Sequence, residues 1–267
     1  MPICFGGTGG KMGLDNKETF QNEIIVGRNP VIEALKANRD IDSVYIVSGE
    51  RQGNIPVILA LCKQNNVTVK NVNVAKLESI CGNSVAHQGV VAVCSAAAYV
   101  SVDDILNFAK EKNEPPFIVI ADQIEDPHNL GAIIRTAEAC GVHGIIIPKR
   151  HGATLTATVY KTSAGALNYM PVSKVTNLSS TVDYLKSKGL WIYAADMGGQ
   201  DYYKTDFSGP VALIIGSEGS GVSRLLKEKS DFVVSLFMKG KINSLNASVA
   251  AGILMYEVSR QKLTGKK

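Results

Sequence analysis

The sequence lacks the features of secreted, membrane-spanning and zinc-bound proteins. Its five cysteines are scattered, odd in number and never spaced as CxxC, which argues against a disulfide framework or structural zinc and favours a reducing, cytoplasmic setting. No apolar run approaches the roughly 20 residues needed to cross a bilayer, so no membrane partner is expected. Residues 1–23 have no basic start followed by an apolar core, and we expect a flexible extension there rather than a secretory signal.

An excess of charge of one sign is also missing. The net charge is +4 over 267 residues, which permits an acidic partner such as RNA without requiring one. The hydrophobic content of 45% predicts a sizeable core, in one large domain or two smaller ones.

The first part of the chain, residues 24–98, alternates short strand-like and helix-like segments and predicts a small α/β domain. In GRNPVIEALKAN, we expect Asn29 to cap a helix that begins at Pro30.

A connector follows at residues 99–115. Ser101 and Asp104 form a capping-box pattern at the start of a helix, and two prolines end the segment. The sequence therefore predicts a linker helix here, with a second domain over residues 116–267.

The second domain contains continuous apolar runs of strand length, which alternate with helical segments. The runs are FIVIAD, GIIIP, LWIYAAD, VALIIGS and FVVSLFM. Such runs are typical of a parallel sheet covered on both faces, so we expect a doubly wound α/β domain. In that architecture ligands bind beyond the carboxyl ends of the strands, and the loops that follow the strands carry the chemistry.

The first of these loops is ADQIEDPHNLGAIIRTAEACG. Asn129 can cap the helix that follows, and Arg135 lies six residues later in an otherwise apolar run. A cap and an exposed helical charge explain the two residues as well as a catalytic role does. His128 has no cysteine or second histidine nearby, so no metal site is expected.

The second loop is LIIGSEGSGVSRLL. Gly216, Gly219 and Gly221 follow a strand and precede a helix, which suggests that backbone amides approach a ligand closely. The order GxxGxG is neither the dinucleotide fingerprint nor a Walker loop. Glu218 would repel a phosphate, so a cationic ligand or an arginine partner suits it better. A tight turn with a solvated Glu218 is the other interpretation.

The third loop, KINSLNASVAAGILMYEVSR, follows the last strand. Its second half has the apolar spacing of a buried helix, whereas Ser244, Asn246 and Ser248 crowd around Leu245 at its start. Capping by Ser244 or Asn246 explains one or two of these polar side chains but not all of them.

Basic residues lie outside the apolar runs. Each can be ordinary solvated surface, or the set can line one end of the sheet and hold RNA phosphates. They are Lys149, Arg150, His151, Lys239 and Lys241, with Arg28 and Arg39 in the first domain.

Together the three loops resemble the signature motifs of the SpoU/TrmH-type RNA 2′-O-ribose methyltransferases of the knotted SPOUT class. DPHNLGAIIRTAEACG is similar to the first motif, ALIIGSEGSGVS to the second and LFMKGKINSLNASVAAGILMYE to the third. IIVGRNPVIEALKAN and AHQGVVA resemble the small RNA substrate-binding domain of this family. Residues 153–178 are similar to the RlmB-like branch, which methylates a guanosine of 23S ribosomal RNA.

The resemblance implies a deep trefoil knot in the second domain, with S-adenosylmethionine bound in it. Carried over to this sequence, the cofactor residues are Gly216, Leu236, Met238, Ser244, Leu245 and Asn246. The catalytic set is Arg135, Asn129, Glu218 and Asn246. The resemblance further implies a homodimer whose active sites are completed by the partner subunit, with ribosomal RNA rather than DNA as the substrate.

Two positions depart from the family pattern. Leu236-Phe237-Met238 stands where Ile-Pro-Met is usual, which leaves the loop geometry open, and Ala86 stands where Asn is common, which could alter a substrate contact. A transfer RNA substrate and an inactive RNA-binding assembly factor remain alternatives. The missing GxGxxG after the first strand argues against a nicotinamide-dependent oxidoreductase.

Overall fold

The chain forms two β-sheets, one in each predicted domain. The structure is a computed structural model, and it describes residues 23–37, 39–50, 53–82, 86–241 and 244–265. The predicted extension, apart from Glu23, lies outside the described residues.

The small domain has a mixed sheet of four strands in the order β1-β4-β2-β3, in which β2 and β3 alone are parallel. Three helices pack on this sheet, and two of them bury one apolar cluster against it. The strands are β1 (Ile24–Val26), β2 (Ile41–Val47), β3 (Thr68–Val72) and β4 (Val90–Cys94), and the helices are α1 (Arg28–Lys36), α2 (Ile55–Gln64) and α3 (Val74–Cys81).

The start of α1 differs from the prediction. The helix begins at Arg28 rather than Pro30, and Gly27 precedes it in place of the predicted cap Asn29. Gly27 has a φ of 96°, which favours glycine, and its amide donates to the Val90 carbonyl of the neighbouring strand. Pairing with the sheet therefore sets where the helix begins, and Pro30 lies within its first turn.

The predicted linker contains α4 (Val102–Glu111). Its capping box is confirmed, because the Ser101 hydroxyl accepts from the Asp104 amide and the Asp104 carboxylate accepts from the Ser101 amide. Ile105 is fully buried in a core cluster of the larger sheet. The helix therefore packs as part of the second domain.

The second domain is a six-stranded, all-parallel sheet in the order β10-β8-β9-β5-β6-β7. Its strands are β5 (Phe117–Ala121), β6 (Gly144–Pro148), β7 (Val172–Val175), β8 (Trp191–Asp201), β9 (Val211–Ile215) and β10 (Phe232–Ser235). Its further helices are α5 (Pro127–Ala139), α6 (Ala157–Thr162), α7 (Leu178–Ser187), α8 (Arg224–Lys229) and α9 (Ala247–Thr264).

Both faces of this sheet are buried. Along β5, Phe117 and Val119 face one core with α5, α6 and α9, while Ile118 and Ile120 face another with α4, α7 and α8. This alternation follows from the two-residue period of a strand. The predicted α/β fold with a parallel sheet is confirmed.

The two domains meet at a buried polar contact. Asp42, on β2, binds Lys174 Nζ at 2.6 Å and the Thr154 hydroxyl at 2.8 Å, and both partners belong to the second domain. The Tyr99 hydroxyl lies 3.4 Å from the same carboxylate. Burial of an ion pair is tolerated when further hydrogen bonds satisfy its charges, and this network supplies them.

No helix within the described ranges is both long and apolar enough to cross a membrane. The cysteines of the described part of the chain, Cys62, Cys81, Cys94 and Cys140, are free thiols. Burial raises the pKa of both Cys62 and Cys140 to about 11, so neither is a ready nucleophile.

Candidate active site

A cavity of about 220 Å³ opens where β9 and β10 end, beside the middle of β8. Its walls come from residues 195–197 of β8, from the loops after β9 and β10, and from α9. Five of the six predicted cofactor residues line it: Gly216, Leu236, Met238, Ser244 and Leu245. Asn243, which belongs to the same motif, lies outside the described residues.

The loop over residues 216–221 folds back on itself. The Gly221 amide donates to the Ser217 carbonyl at 2.9 Å, and a Cβ on Gly216 would lie 2.0 Å from the Gly221 carbonyl carbon. Gly216 is therefore needed for closure of the loop itself. At Gly219 a Cβ would meet nothing within 4 Å.

Asn129, Glu218 and Asn246 form a hydrogen-bonded cluster beside the cavity. Asn129 Nδ2 donates to Glu218 Oε1 at 3.0 Å, and Asn246 Nδ2 donates to Asn129 Oδ1 at 2.9 Å and also to Glu218 Oε1. The three residues come from three different predicted motifs. The structure thus brings together three of the four predicted catalytic residues.

Asn246 has a second role in the helix. Its Oδ1 accepts from the amides of Ser248 at 3.0 Å and Val249 at 3.3 Å, which makes it the cap of α9. One amide side chain therefore caps a helix with its oxygen and reaches Glu218 with its nitrogen. The predicted capping is confirmed for Asn246.

Asn129 is not a helix cap, and that prediction was wrong. Helix α5 begins at Pro127, and the Asp126 carboxylate caps it by accepting from the His128 amide at 2.9 Å. The proline was the available signal, since it is favoured at the first helical position. Asn129 already lies within the helix, where its side chain can reach Glu218.

A second cavity, of about 320 Å³, adjoins the first. Asn129, Asp126 and Gln123 line it, and Ser217 and Glu218 belong to the walls of both cavities. Glu218 therefore stands at the boundary between the two spaces. Two ligands bound side by side would meet at this carboxylate.

The charged side chains that line the first cavity are acidic. Glu218 and Asp196 both line it, and the Asp196 side chain is only 11% exposed. Lys227 Nζ lies 2.7 Å from Asp196 Oδ2 and partly balances that charge. Asp196 was not predicted as a site residue, because it lies within β8 and not in a loop that follows a strand.

Arg135 lies apart from this cluster. It is exposed on α5 and lines neither cavity. Six residues along a helix correspond to about 9 Å of rise and about 240° of rotation, so Arg135 and Asn129 leave α5 in different directions. Within one subunit the arginine is separate from the other predicted catalytic groups.

The basic residues flank the site instead of forming one patch. Lys149 and Arg150 follow β6, whereas Lys239 and Lys241 follow β10, and three strands separate β6 from β10. That separation is about 19 Å at the usual spacing of strands. Burial, together with nearby Lys174 and Arg150, lowers the pKa of Lys149.

The basic residues of the small domain lie in different places. Arg39 pairs with Glu23 at 2.6 Å. Arg28 pairs with Glu50 at 3.3 Å and donates from Nε to the Gln88 carbonyl. Arg28 and Gln88 line a polar cavity of about 470 Å³ near the end of β2. This distal cavity also contains Asn29, Gly53 and Asn54.

Comparison with known protein families shows to which family this chain belongs. The sequence profile of the SpoU rRNA Methylase family matches residues 116–256, which is more than half of the chain. The chain belongs to the SpoU rRNA methylase family. A second profile, RNA 2′-O ribose methyltransferase substrate binding, matches residues 24–100 of this SpoU-family chain. The predicted family and the enzyme class of RNA methyltransferase are therefore confirmed.

Individual relatives agree with this assignment. A putative TrmH family tRNA/rRNA methyltransferase, YacO of Bacillus subtilis, is 46% identical over 91% of this chain and 97% of its own length. The AdoMet-bound rRNA methyltransferase of Sinorhizobium meliloti is 25% identical, with a TM-score of 0.56 over 89% of this chain and 87% of that one. The TrmH/SpoU tRNA modifying enzyme of A. aeolicus is 28% identical, with a TM-score of 0.53 over 61% and 84%.

Proposed function

We propose that the protein transfers a methyl group from S-adenosylmethionine to the ribose 2′-oxygen of a guanosine in 23S ribosomal RNA. The observation that carries this proposal is the pair of adjoining cavities, which share Glu218 as part of their common wall. One cavity is lined by the predicted cofactor residues, and the other contains Asn129 of the predicted catalytic set.

The residues of the first cavity suit this cofactor. Ile215, Leu236 and Leu245 offer apolar surface for a nucleoside, and Glu218 and Asp196 offer negative charge to a sulfonium and an ammonium group. When bound, S-adenosylmethionine supplies a methyl group activated by a positively charged sulfur. The backbone around Gly216, Met238 and Ser244 would hold it.

The second cavity is where we place the acceptor ribose. Asn246 fixes the orientation of both Asn129 and Glu218 through its amide nitrogen, so the polar groups facing this cavity are preorganised. Asn129 would orient the 2′-hydroxyl in line with the methyl donor. Such alignment is a large part of what an enzyme contributes to a displacement reaction.

Arg135 would act as a phosphate clamp that positions the 2′-hydroxyl. A guanidinium has a pKa above about 12, which makes it a poor general base, but its planar donors suit a phosphate. The substrate phosphate could then assist proton loss from the hydroxyl.

We also propose a homodimer in which Arg135 serves the partner's site. Val249, Ile253 and Tyr256 of α9 form an exposed apolar groove with Ala132 and Thr136 of α5. Val249 and Tyr256 are 50% and 59% exposed, which is unusual for a contiguous apolar patch on a monomer.

Arg135 lies near this groove, because Ala132, three residues before it, is its neighbour on the helix surface. A second subunit docked on the groove would receive the arginine near its own cluster. This arrangement accounts for the distance between Arg135 and the other predicted catalytic residues within one chain.

We choose ribosomal RNA as the substrate because of how much of this chain aligns with each solved structure. The S. meliloti rRNA methyltransferase aligns with 89% of this chain, whereas the A. aeolicus tRNA modifying enzyme aligns with 61%. The alignment with the rRNA methyltransferase therefore includes more of the small domain. Transfer RNA is the second candidate substrate, since YacO is named for both.

A deep trefoil knot and a cytoplasmic location complete the proposal. Residues 195–197 and 216–221, the described residues just after β10 and the start of α9 all line one cavity. Such convergence suits a threaded chain. Free thiols among the described cysteines suit a reducing compartment.

The first experiment measures cofactor binding and maps the product. We expect calorimetry to detect S-adenosylmethionine binding, and we expect one 2′-O-methylguanosine of 23S RNA to disappear from cells that lack the gene. A lost transfer RNA mark with an unchanged ribosomal map would overturn the substrate. Cofactor binding without any lost mark would favour the inactive assembly factor.

A second experiment tests the shared site with mixed dimers. Subunits carrying Arg135→Ala and Asn246→Ala should each be inactive alone, but a mixed dimer should regain one working site because each subunit supplies what the other lacks. The matched control pairs Glu218→Ala with Asn246→Ala. Both residues belong to one subunit's cluster, so that mixture should stay inactive. An inactive first mixture would show that Arg135 acts within its own subunit.

A further inference from the structure

Three aromatic rings cluster at the rim of the proposed cofactor cavity. Tyr202 and Tyr203 lie in the 3-10 turn that follows β8, and Phe237 lies just beyond β10. The rings of Tyr202 and Phe237 are nearly parallel, at 15° with centroids 6.5 Å apart. Tyr203 meets Phe237 edge-on at 6.2 Å. We call these three residues the aromatic platform.

The platform is anchored on one side and open on the other. Tyr202 packs against the core cluster beneath the sheet. Tyr203 and Phe237, in contrast, are 51% and 56% exposed. Large rings left half in water gain when another apolar surface covers them, so the arrangement offers a preformed contact surface.

The platform adjoins the proposed cofactor cavity. Phe237 stands between Leu236 and Met238, both of which line the cofactor cavity. Consecutive Cα atoms are about 3.8 Å apart, so the ring begins within one residue of that cavity.

The charges around the platform are those that nucleic acid requires. Lys204 Nζ lies 5.2 Å from the centre of the Tyr203 ring, and Lys239 is exposed two residues after Phe237. Asp201 partly offsets this charge, because it pairs with Lys204 at 2.7 Å. Exposed aromatic rings beside lysines are the usual means by which proteins hold unpaired bases and their phosphates.

We propose that the aromatic platform stacks an unpaired nucleobase of the RNA substrate, beside the proposed cofactor cavity. This inference rests on the proposed function and adds a condition to it. A base that stacks on a protein ring has left its own helix, so the substrate is single-stranded or locally opened at this point. Stacking tolerates any base, so the platform would contribute affinity and position more than sequence choice.

The test uses ring-removing variants and a defined probe. Tyr203→Ala, Phe237→Ala and the double variant are compared with Phe237→Tyr, which keeps a ring. Tyr169→Ala is the matched control, since Tyr169 is 75% exposed and lines none of the cavities described above. The probes are a short oligouridylate and an abasic ribose-phosphate chain of equal length, with binding followed by fluorescence anisotropy.

We expect the wild-type protein to prefer the oligouridylate over the abasic chain. Loss of stacking on one base should weaken oligouridylate binding by about 5- to 150-fold in the double variant, with little change for the abasic chain. Phe237→Tyr and Tyr169→Ala should bind like the wild type. Calorimetric affinity for S-adenosylmethionine and the dimer mass should stay unchanged in every variant.

Three outcomes would overturn the platform. An unchanged preference for the oligouridylate would show that no base stacks there. Weaker S-adenosylmethionine binding would assign the rings to the cofactor, and dissociation into monomers would assign them to the subunit interface. If the wild-type protein neither binds the cofactor nor methylates RNA, the proposed function itself has failed, which is a separate result.

Discussion

At the scale of single residues, Asn246 joins the fold to the chemistry. Replacement by serine keeps an oxygen that can cap α9 but removes the nitrogen that reaches Glu218. We expect Asn246→Ser to unfold close to the wild type and Asn246→Ala to lose about 1 kcal/mol of stability. Methyl transfer should fall strongly in both.

The measurements are urea unfolding and turnover at saturating RNA. A fully active Asn246→Ser variant would mean that the bond to Glu218 is dispensable. A serine variant as unstable as the alanine variant would mean that the cap needs the longer side chain.

Gly216 and Gly219 belong to one loop, but we expect replacement by alanine to affect stability differently at the two positions. Gly216→Ala places a Cβ 2.0 Å from the Gly221 backbone, so the loop must shift. We expect a loss of about 1–3 kcal/mol, as for overpacked interiors. Gly219→Ala meets nothing within 4 Å and should unfold like the wild type. Thermal unfolding without cofactor measures both, and equal melting temperatures would contradict the steric account.

Much of the site could be predicted at the residue scale, because its members lie in three compact motifs. The sequence pattern led to Asn129, Glu218 and Asn246, which are hydrogen-bonded to one another. It did not lead to Asp196, since that residue lies inside β8 and not in a loop that follows a strand. It also gave Asn129 the wrong local role, because Pro127 rather than Asn129 marks the start of the helix.

At the scale of elements, His143 connects β5 to the chain that enters β6. Its Nδ1 accepts from the Phe117 amide at 3.0 Å, so its Nε2 carries the hydrogen and donates to Glu114, also at 3.0 Å. The side chain is buried, and this burial lowers the pKa of His143 despite the neighbouring carboxylate. The neutral ring is therefore the form that the fold favours.

The lowered pKa gives a signed pH dependence. The folded protein binds this proton less readily than the unfolded chain, whose histidine has a pKa near 6.5. The contribution of neutral His143 to the free energy of unfolding is complete above pH 6.5, and it is lost as the pH falls through the lower pKa of the folded state. His143→Gln should be less sensitive to pH over this range. Urea unfolding of both proteins between pH 5 and about 8 measures the difference, and parallel curves would contradict it.

Elements with strong apolar runs were predictable, and one without such a run was not. The strands β5, β6, β8, β9 and β10 each begin within one of the five apolar runs of the sequence, although β8 continues to Asp201 and β10 already ends at Ser235. Strand β7 was missed because Ser173 and Lys174 interrupt it. The position of β7 explains these polar residues, since it is an edge strand of the sheet and Lys174 contacts the small domain.

At the scale of the whole molecule, Asp42 and Lys174 hold the two domains in one orientation. Their side chains are only 7% and 11% exposed. Asp42→Ala leaves a buried lysine without its partner and should cost about 3–5 kcal/mol. The double variant with Lys174→Met should lose less than the sum of the two single variants, because neither charge then remains buried alone.

Urea unfolding of the four proteins completes this cycle. Strict additivity would show that the pair contributes no coupling between the domains. A double variant with normal stability but slower methylation of RNA would show that the pair serves orientation more than stability.

Domain docking is the part of the fold that the sequence could not predict. Asp42 and Lys174 are separated by 132 positions, and neither stands out in its own segment. Residues 153–178 had suggested only a branch of the family, yet they contain both Thr154 and Lys174, which contact Asp42. That segment is therefore explained in part by the contact between the domains.

The docking contact and the distal cavity lie at opposite ends of one strand. Asp42 fastens the start of β2 to the methyltransferase domain, and Val47, at its other end, pairs with the chain beside Gln88. Five steps along a strand span about 17 Å. The strand therefore keeps the domain contact and the distal cavity at a fixed separation. An RNA bound at the distal cavity would bring to the methyl donor only those nucleotides that lie at one fixed distance from that cavity. The enzyme would then select its target by this distance as well as by the base sequence.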